Sequence, residues 1–119
     1  MRILKVNPNE APYEKEMEDS LDAIQSEVAG CFEIVYLEDD VALCCNDEGK
    51  LNGMPMNRRV GNDIICGPFF LVGIDMKNEG EFCSLTGDKI REYSERFKEP
   101  EHFAEYEPDA QPFCRIFSF

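Results

Sequence analysis

Ile64-Ile65-Cys66-Gly67-Pro68-Phe69-Phe70-Leu71-Val72-Gly73-Ile74 is the longest nearly apolar run in this 119-residue chain, and its reading decides the fold. A bilayer-spanning helix requires ~20 apolar residues, so the run belongs in a protein core. Gly67-Pro68 interrupts it, and a proline cannot donate to a central ladder, which predicts a buried strand pair or one bent strand. Upstream, Asn52 to Gly61 carries Gly53, Pro55 and Gly61 and reads as a loop. Before it, Val41 to Cys45 is a strand running into the turn Asn46-Asp47-Glu48-Gly49, and Cys31 to Leu37 is β-rich with Phe32, Ile34 and Tyr36 on one face. Asp19 or Ser20 caps a helix to about Val28, with Leu21, Ile24 and Val28 as its apolar stripe and Gly30 as its stop. Arg2 to Val6 and Pro12 to Met17, joined through Asn7-Pro8-Asn9-Glu10, form an N-terminal β-hairpin.

Downstream, a polar loop from Asp75 leads to Phe82-Cys83-Ser84-Leu85, and Thr86 caps a second helix from Gly87 to about Phe97. The pattern predicts a single α+β domain: a mostly antiparallel sheet with two helices packed on it, both against one side. Residues 1–98 make up that domain. Residues 99–119, with Phe113, Ile116, Phe117 and Phe119, read as a Pro- and Phe-rich extension docking on the same core.

Charge is the outlier. Twelve basic against 25 acidic residues give a net charge of −13. Nucleic acids and anionic membranes would repel such a chain, which excludes direct binding to either. The excess is concentrated: residues 8–49 carry a net −12, whereas residues 50–98 carry +1. Glu10, Glu14, Glu16, Glu18, Asp19, Asp22, Glu27, Glu33, Glu38, Asp39 and Asp40 would form a negative surface with Lys15 as the lone cation among them. A highly charged face kept for solubility is one reading. A surface whose carboxylates stand where phosphates would, offered to a basic nucleic-acid-binding protein, is the other.

The residues name no reaction. His102 has no marked nucleophile near it, no phosphate-binding glycine loop exists, and the acidic pairs lack a calcium-loop pattern. No catalytic residue, cofactor or metal is predicted. Six cysteines lack zinc spacing; Cys44-Cys45 would point to opposite faces of a strand, although Cys66, Cys83, Cys114 and His102 could converge in space. The N-terminus shows no export signal, so a reducing cytoplasm and small buried thiols are expected. Arg58-Arg59 is the one local basic pair, able to grip a phosphate or to pair with the protein's own acids.

Several strings resemble one small domain family. They are Ala11-Pro12-Tyr13-Glu14-Lys15-Glu16; Cys45-Asn46-Asp47-Glu48-Gly49-Lys50-Leu51-Asn52-Gly53 with Pro55 and Asn57-Arg58; Gly67-Pro68-Phe69-Phe70-Leu71-Val72-Gly73; and Phe82-Cys83-Ser84-Leu85. The family has no functional name and recurs in bacterial phages, plasmids and conjugative elements; the resemblance spans roughly residues 1–98. It implies no catalytic residues. It does imply a mobile-element setting alongside antirestriction and other anti-defence modules. The expectation is a non-enzymatic anti-defence protein in the cytoplasm of a host bacterium, binding a CRISPR effector or restriction enzyme through its acidic surface. The alternative is a regulatory or scaffolding module, one form of it stabilised by zinc.

Overall fold

The computed structural model describes residues 1–103. In chain order the elements are β1 (Arg2–Val6), β2 (Tyr13–Glu16), α1 (Leu21–Val28), β3 (Phe32–Glu38), β4 (Val41–Asn46), β5 (Met56–Val60), β6 (Asp63–Cys66), β7 (Phe69–Asp75), β8 (Glu81–Cys83) and α2 (Gly87–Arg96). The apolar run does break at Gly67-Pro68, and its two halves enter different sheets. β7 becomes the middle of a sheet ordered β2-β1-β7-β4-β3, with β8 also on β7, while β6 pairs with β5 in a separate hairpin. Every pairing is antiparallel. The sheet is thus an antiparallel α+β core carrying an N-terminal β-hairpin, as the alternation of apolar and turn residues implies.

β4 is buried at every position and β7 at all but its last, so their side chains divide between two cores. Leu43, Cys45, Phe69 and Leu71 pack with Ile90, Tyr93 and Phe97 of α2 and its C-terminus. Ala42, Cys44, Phe70 and Val72 pack with Ile24 and Val28 of α1. The two helices therefore cover opposite faces, not one side. The reason is visible in β4 and β7, whose apolar character on both faces leaves neither face for solvent. Cys44 and Cys45 point to opposite faces, as strand alternation requires.

Other expectations need correction. Residues 52–61 are not all loop: β5 forms over Met56–Val60 and turns through Gly61-Asn62 onto β6. Its hydrophobic signal is weak because the buried positions are Asn57 and Arg58. Ser20 does cap α1, its hydroxyl accepting from the Ala23 N–H, but the left-handed closing residue is Ala29, one before Gly30. Leu21 is 60% exposed, so the buried stripe of α1 begins at Ile24. Phe32, Ile34 and Tyr36 share a face, yet only Phe32 packs against the α1 core. The expected docking of Phe113 to Phe119 lies outside the described residues.

Gly73 marks a place where strands crowd closely. It faces Val41 on one side and Cys83 on the other, and a Cβ there would stand 2.6 Å from the Ser84 carbonyl oxygen. Backbone cannot yield as a side-chain tip would. Gly73→Ala should lower stability by about 1–3 kcal/mol, read as a shifted urea midpoint at unchanged slope. Gly87→Ala, with open space around it, should leave the midpoint in place.

Candidate functional site

The motif over residues 46–58 lies at one end of the sheet, and Asn46, Lys50, Asn57 and Arg58 in it are engaged in structure. Asn46 donates from Nδ2 to the carbonyls of Val28 (3.1 Å) and Ala29 (3.2 Å), satisfying the C-terminus of α1, while its Oδ1 accepts from the Glu48 N–H (2.8 Å). Gly49 fits where a Cβ would stand 2.5 Å from the Cys66 carbonyl oxygen. Lys50 pairs with Asp63 at 2.6 Å. Asn57 donates to the carbonyls of Val6 (3.0 Å) and Gly67 (2.9 Å), tying the β5–β6 hairpin to the main sheet.

Arg58 is 1% exposed, and oxygens of neutral groups hold its guanidinium. Nε and Nη2 donate to the Phe97 carbonyl (3.2 and 2.9 Å), Nη1 to the carbonyl and Oδ1 of Asn57 (3.2 and 2.9 Å), and Nη2 to the Glu10 carbonyl (2.6 Å). Burial weakens its hold on the proton, and the nearby Glu101 carboxylate opposes that shift. Arg58 therefore does not wait for a phosphate or carboxylate, and it joins main-chain carbonyls instead of the acidic side chains expected to pair with it. The neighbouring Arg59 main-chain N–H donates to the Glu101 carboxylate.

The cysteines are separated too. Cys66 lies at the motif end, beside Met56, and Cys83 at the opposite end, beside Gly73, so these two do not converge. Burial pushes the Cys44 thiol up to about 12 and raises those of Cys66 and Cys83, disfavouring the thiolate that nucleophilic or metal chemistry requires. Among the described residues no three His, Cys, Asp or Glu side chains converge on a metal position. Cys114 lies outside them.

The carboxylates are organised by the ends of the sheet. Arg2 faces Glu16, the Leu85 N–H donates to the Arg2 carbonyl, and Gly73 faces both Val41 and Cys83. The β2–α1 connection, the β3–β4 turn and the β7–β8 turn therefore leave the sheet at the same end. Glu16, Glu18, Asp19 and Asp22 stand on the first of these and the opening of α1, and Glu38, Asp39 and Asp40 on the second. The third adds Asp75, Glu79 and Glu81, which the near-neutral balance of residues 50–98 concealed. Only the pairing of β7 with β8 would have revealed them. Helices α1 and α2 both begin at this end, and the partial positive charge of their N-termini offsets some of the repulsion.

The other acidic residues lie elsewhere. Glu10 is in the β1–β2 turn at the motif end, Glu33 faces Cys45 near the start of β3, and Glu14 is mid-strand, 3.6 Å from Arg2. Glu27 is the clearest departure from an exposed acidic face: its carboxylate is 10% exposed and lies between Lys5 (2.6 Å) and Lys15 (2.8 Å). Glu38 stands at the acidic end but is already engaged, accepting from Lys89 Nζ (2.6 Å) and Tyr93 Oη (2.5 Å). Glu18, Asp19, Asp39, Asp40 and Glu79 make no ion pair among the described residues. The eleven expected residues thus form no continuous patch; a compact subset gathers at one end.

Beside that subset the β3–β4 turn and the β7–β8 turn enclose an open groove of about 580 Å³. Its apolar wall is Tyr36, Leu37, Ile74 and Met76, and Asp39 and Glu79 stand on its rim. No helix among the described residues is long and apolar enough to cross a membrane.

Compared with known proteins, residues 1–98 match the family model of a domain of unknown function (DUF3846). No match was found among curated proteins or solved structures.

The Lys5–Glu27–Lys15 cluster, in which Lys5 is buried and Lys15 exposed, makes stability depend on pH. Burial raises the Glu27 carboxyl, but hydrogen bonds from Lys15 and Lys5 outweigh it and hold the group below its ordinary value. A carboxyl lowered by folding stabilises above its unfolded pKa, about 4.3, and that stabilisation is lost as pH falls through the folded value. Glu27→Gln should therefore be less stable than the parent at neutral pH, with the gap closing below about pH 4 in urea titrations. A gap independent of pH would assign the loss to packing.

Proposed function

We propose that the chain, which belongs to the DUF3846 family, is a non-catalytic anti-defence protein that occupies the basic nucleic-acid channel of a host nuclease. The target class is a CRISPR effector or restriction enzyme. The observation that carries this reading is the convergence of three acidic connections on one end of the sheet, in a chain of net charge −13. The mobile-element resemblance of its motifs supports the biological setting. With Asn46, Asn57 and Arg58 of the motif engaged in holding the fold together, the acidic end is the surface this reading offers to a partner.

The chemistry is that of a polyanion substitute. Carboxylates on turns anchored by a two-faced sheet need little reordering on binding, and their potential steers a basic channel toward them. RNA-guided effectors hold their heteroduplex in a positively charged channel, and a compact acidic end competes for that space. Binding is stoichiometric, weakens as salt rises and excludes DNA or guide RNA.

Charge reversal at the two ends separates this mechanism from general acidity. Glu18→Lys, Asp19→Lys, Asp39→Lys and Asp40→Lys combined should weaken inhibition of a susceptible nuclease by at least about tenfold. Glu10→Lys with Asp47→Lys, at the motif end, should leave inhibition close to the parent value. Equal effects from both sets, or no effect from the first, would contradict the proposed docking mode.

A further inference from the structure

We propose that the groove between the end of β3 and the β7–β8 turn seats a basic segment of the partner protein bearing one large apolar side chain; this inference rests on the function proposed above and specifies its anchoring point. Tyr36 and Met76 are each 64% exposed, and Ile74 beneath them is 5% exposed. Tyr36 shares its face with Phe32, on the side of the sheet that α1 covers. α1 has eight residues, so it spans only ~12 Å and leaves that corner of the face open.

An apolar centre with a charged rim is how protein interfaces concentrate affinity: a desolvated anchor is enclosed by polar contacts that exclude water. Here the rim selects the occupant. Asp39 and Glu79 repel an acidic peptide, and they repel a second copy of a chain whose net charge is −13. A segment with Lys or Arg on either side of an aromatic or long aliphatic residue satisfies both parts of the groove. Its cations meet Asp39 and Glu79, and its apolar side chain enters between Tyr36 and Met76. Met76 adapts its shape to the incoming group, and the Tyr36 ring offers a face to a guanidinium. Nuclease channels that bind nucleic acid supply such segments, because stacking aromatics and backbone-tracking cations occur together in them.

Two capped peptides of equal charge test this, Arg-Arg-Trp-Arg-Arg-Gly and Arg-Arg-Gly-Arg-Arg-Gly, titrated into the full chain at low salt and followed by calorimetry and NMR. The tryptophan peptide should bind at least about tenfold more tightly and shift the Met76 methyl and Tyr36 ring resonances. Tyr36→Ser and Met76→Lys, both exposed positions, should each make the two peptides equivalent. Equal affinities in the parent protein, with Met76 and Tyr36 unmoved, would overturn the groove as an anchor and leave the acidic end intact. Failure of both peptides to bind would overturn the groove and the acidic end together. A dimer of the free protein abolished by Met76→Lys would also overturn the proposal, by placing a second copy in the groove.

Discussion

A strand hydrogen-bonded along both sides and covered on both faces must place its backbone groups in ladders and its side chains in cores; β7 does so over Phe69 to Ile74. Its pairing with β4 on one side, and with β1 and then β8 on the other, fixes the register of the whole sheet. Antiparallel register then decides which connections share an end. The β2–α1 link, the β3–β4 turn and the β7–β8 turn emerge together, while the β1–β2 turn, the motif loop and Gly67-Pro68 emerge at the other end. Acidic connections and the 46–58 motif are thus separated along the strands. A one-residue slip of β7 would carry each of its side chains from one core to the other, so burial on both faces holds the register that sets this separation.

Arg58 closes the motif end. A fully buried guanidinium is costly unless its donors are matched, and here they reach carbonyls at the C-terminus of α2 and in the β1–β2 turn as well as its neighbour Asn57. Phe97, whose carbonyl accepts two of these bonds, also packs its ring edge-on against Phe69, with centroids 5.6 Å apart. A single side chain therefore links the separate β5–β6 hairpin, the second helix and the N-terminal hairpin. The 46–58 motif consequently reads as the specification of a joint. Its buried polar residues, Asn46, Asn57 and Arg58, serve hydrogen-bond geometry inside the fold.

Much of the fold is legible in the residues. Thr86 and Ser20 mark helix starts by the same physics, a side-chain oxygen accepting an otherwise orphaned main-chain N–H, and Gly67-Pro68 divides β6 from β7 because proline lacks the donor a ladder needs. What escaped the sequence reading is what depends on distant partners. β5 looked like a loop because Asn57 and Arg58 are polar, and only carbonyls far along the chain make their burial favourable. The placement of the helices on opposite faces is signalled by the unbroken apolar runs of β4 and β7, but which helix takes which face depends on contacts far apart in the chain. The acidic residues were legible by number but not by place. Glu27 is clasped between Lys5 and Lys15, and Asp75, Glu79 and Glu81 join the acidic end only through the return of β8 onto β7.

The electrostatic consequence is a polar molecule in the literal sense. Both helices begin where the carboxylates gather, and the partial positive charge of their N-termini, together with Arg2 and the N-terminal amine beside Glu16 and Lys89 beside Glu38, offsets part of the repulsion in that cluster. The account thus assigns partner binding to one end of the strands and structural integrity to the other. The most direct test is amide hydrogen exchange on the full chain, with and without saturating poly-lysine at low salt. Protection confined to residues 16–22, 38–40 and 75–81 is the result the account predicts. Protection spread evenly over the molecule, or centred on residues 46–58, would contradict it.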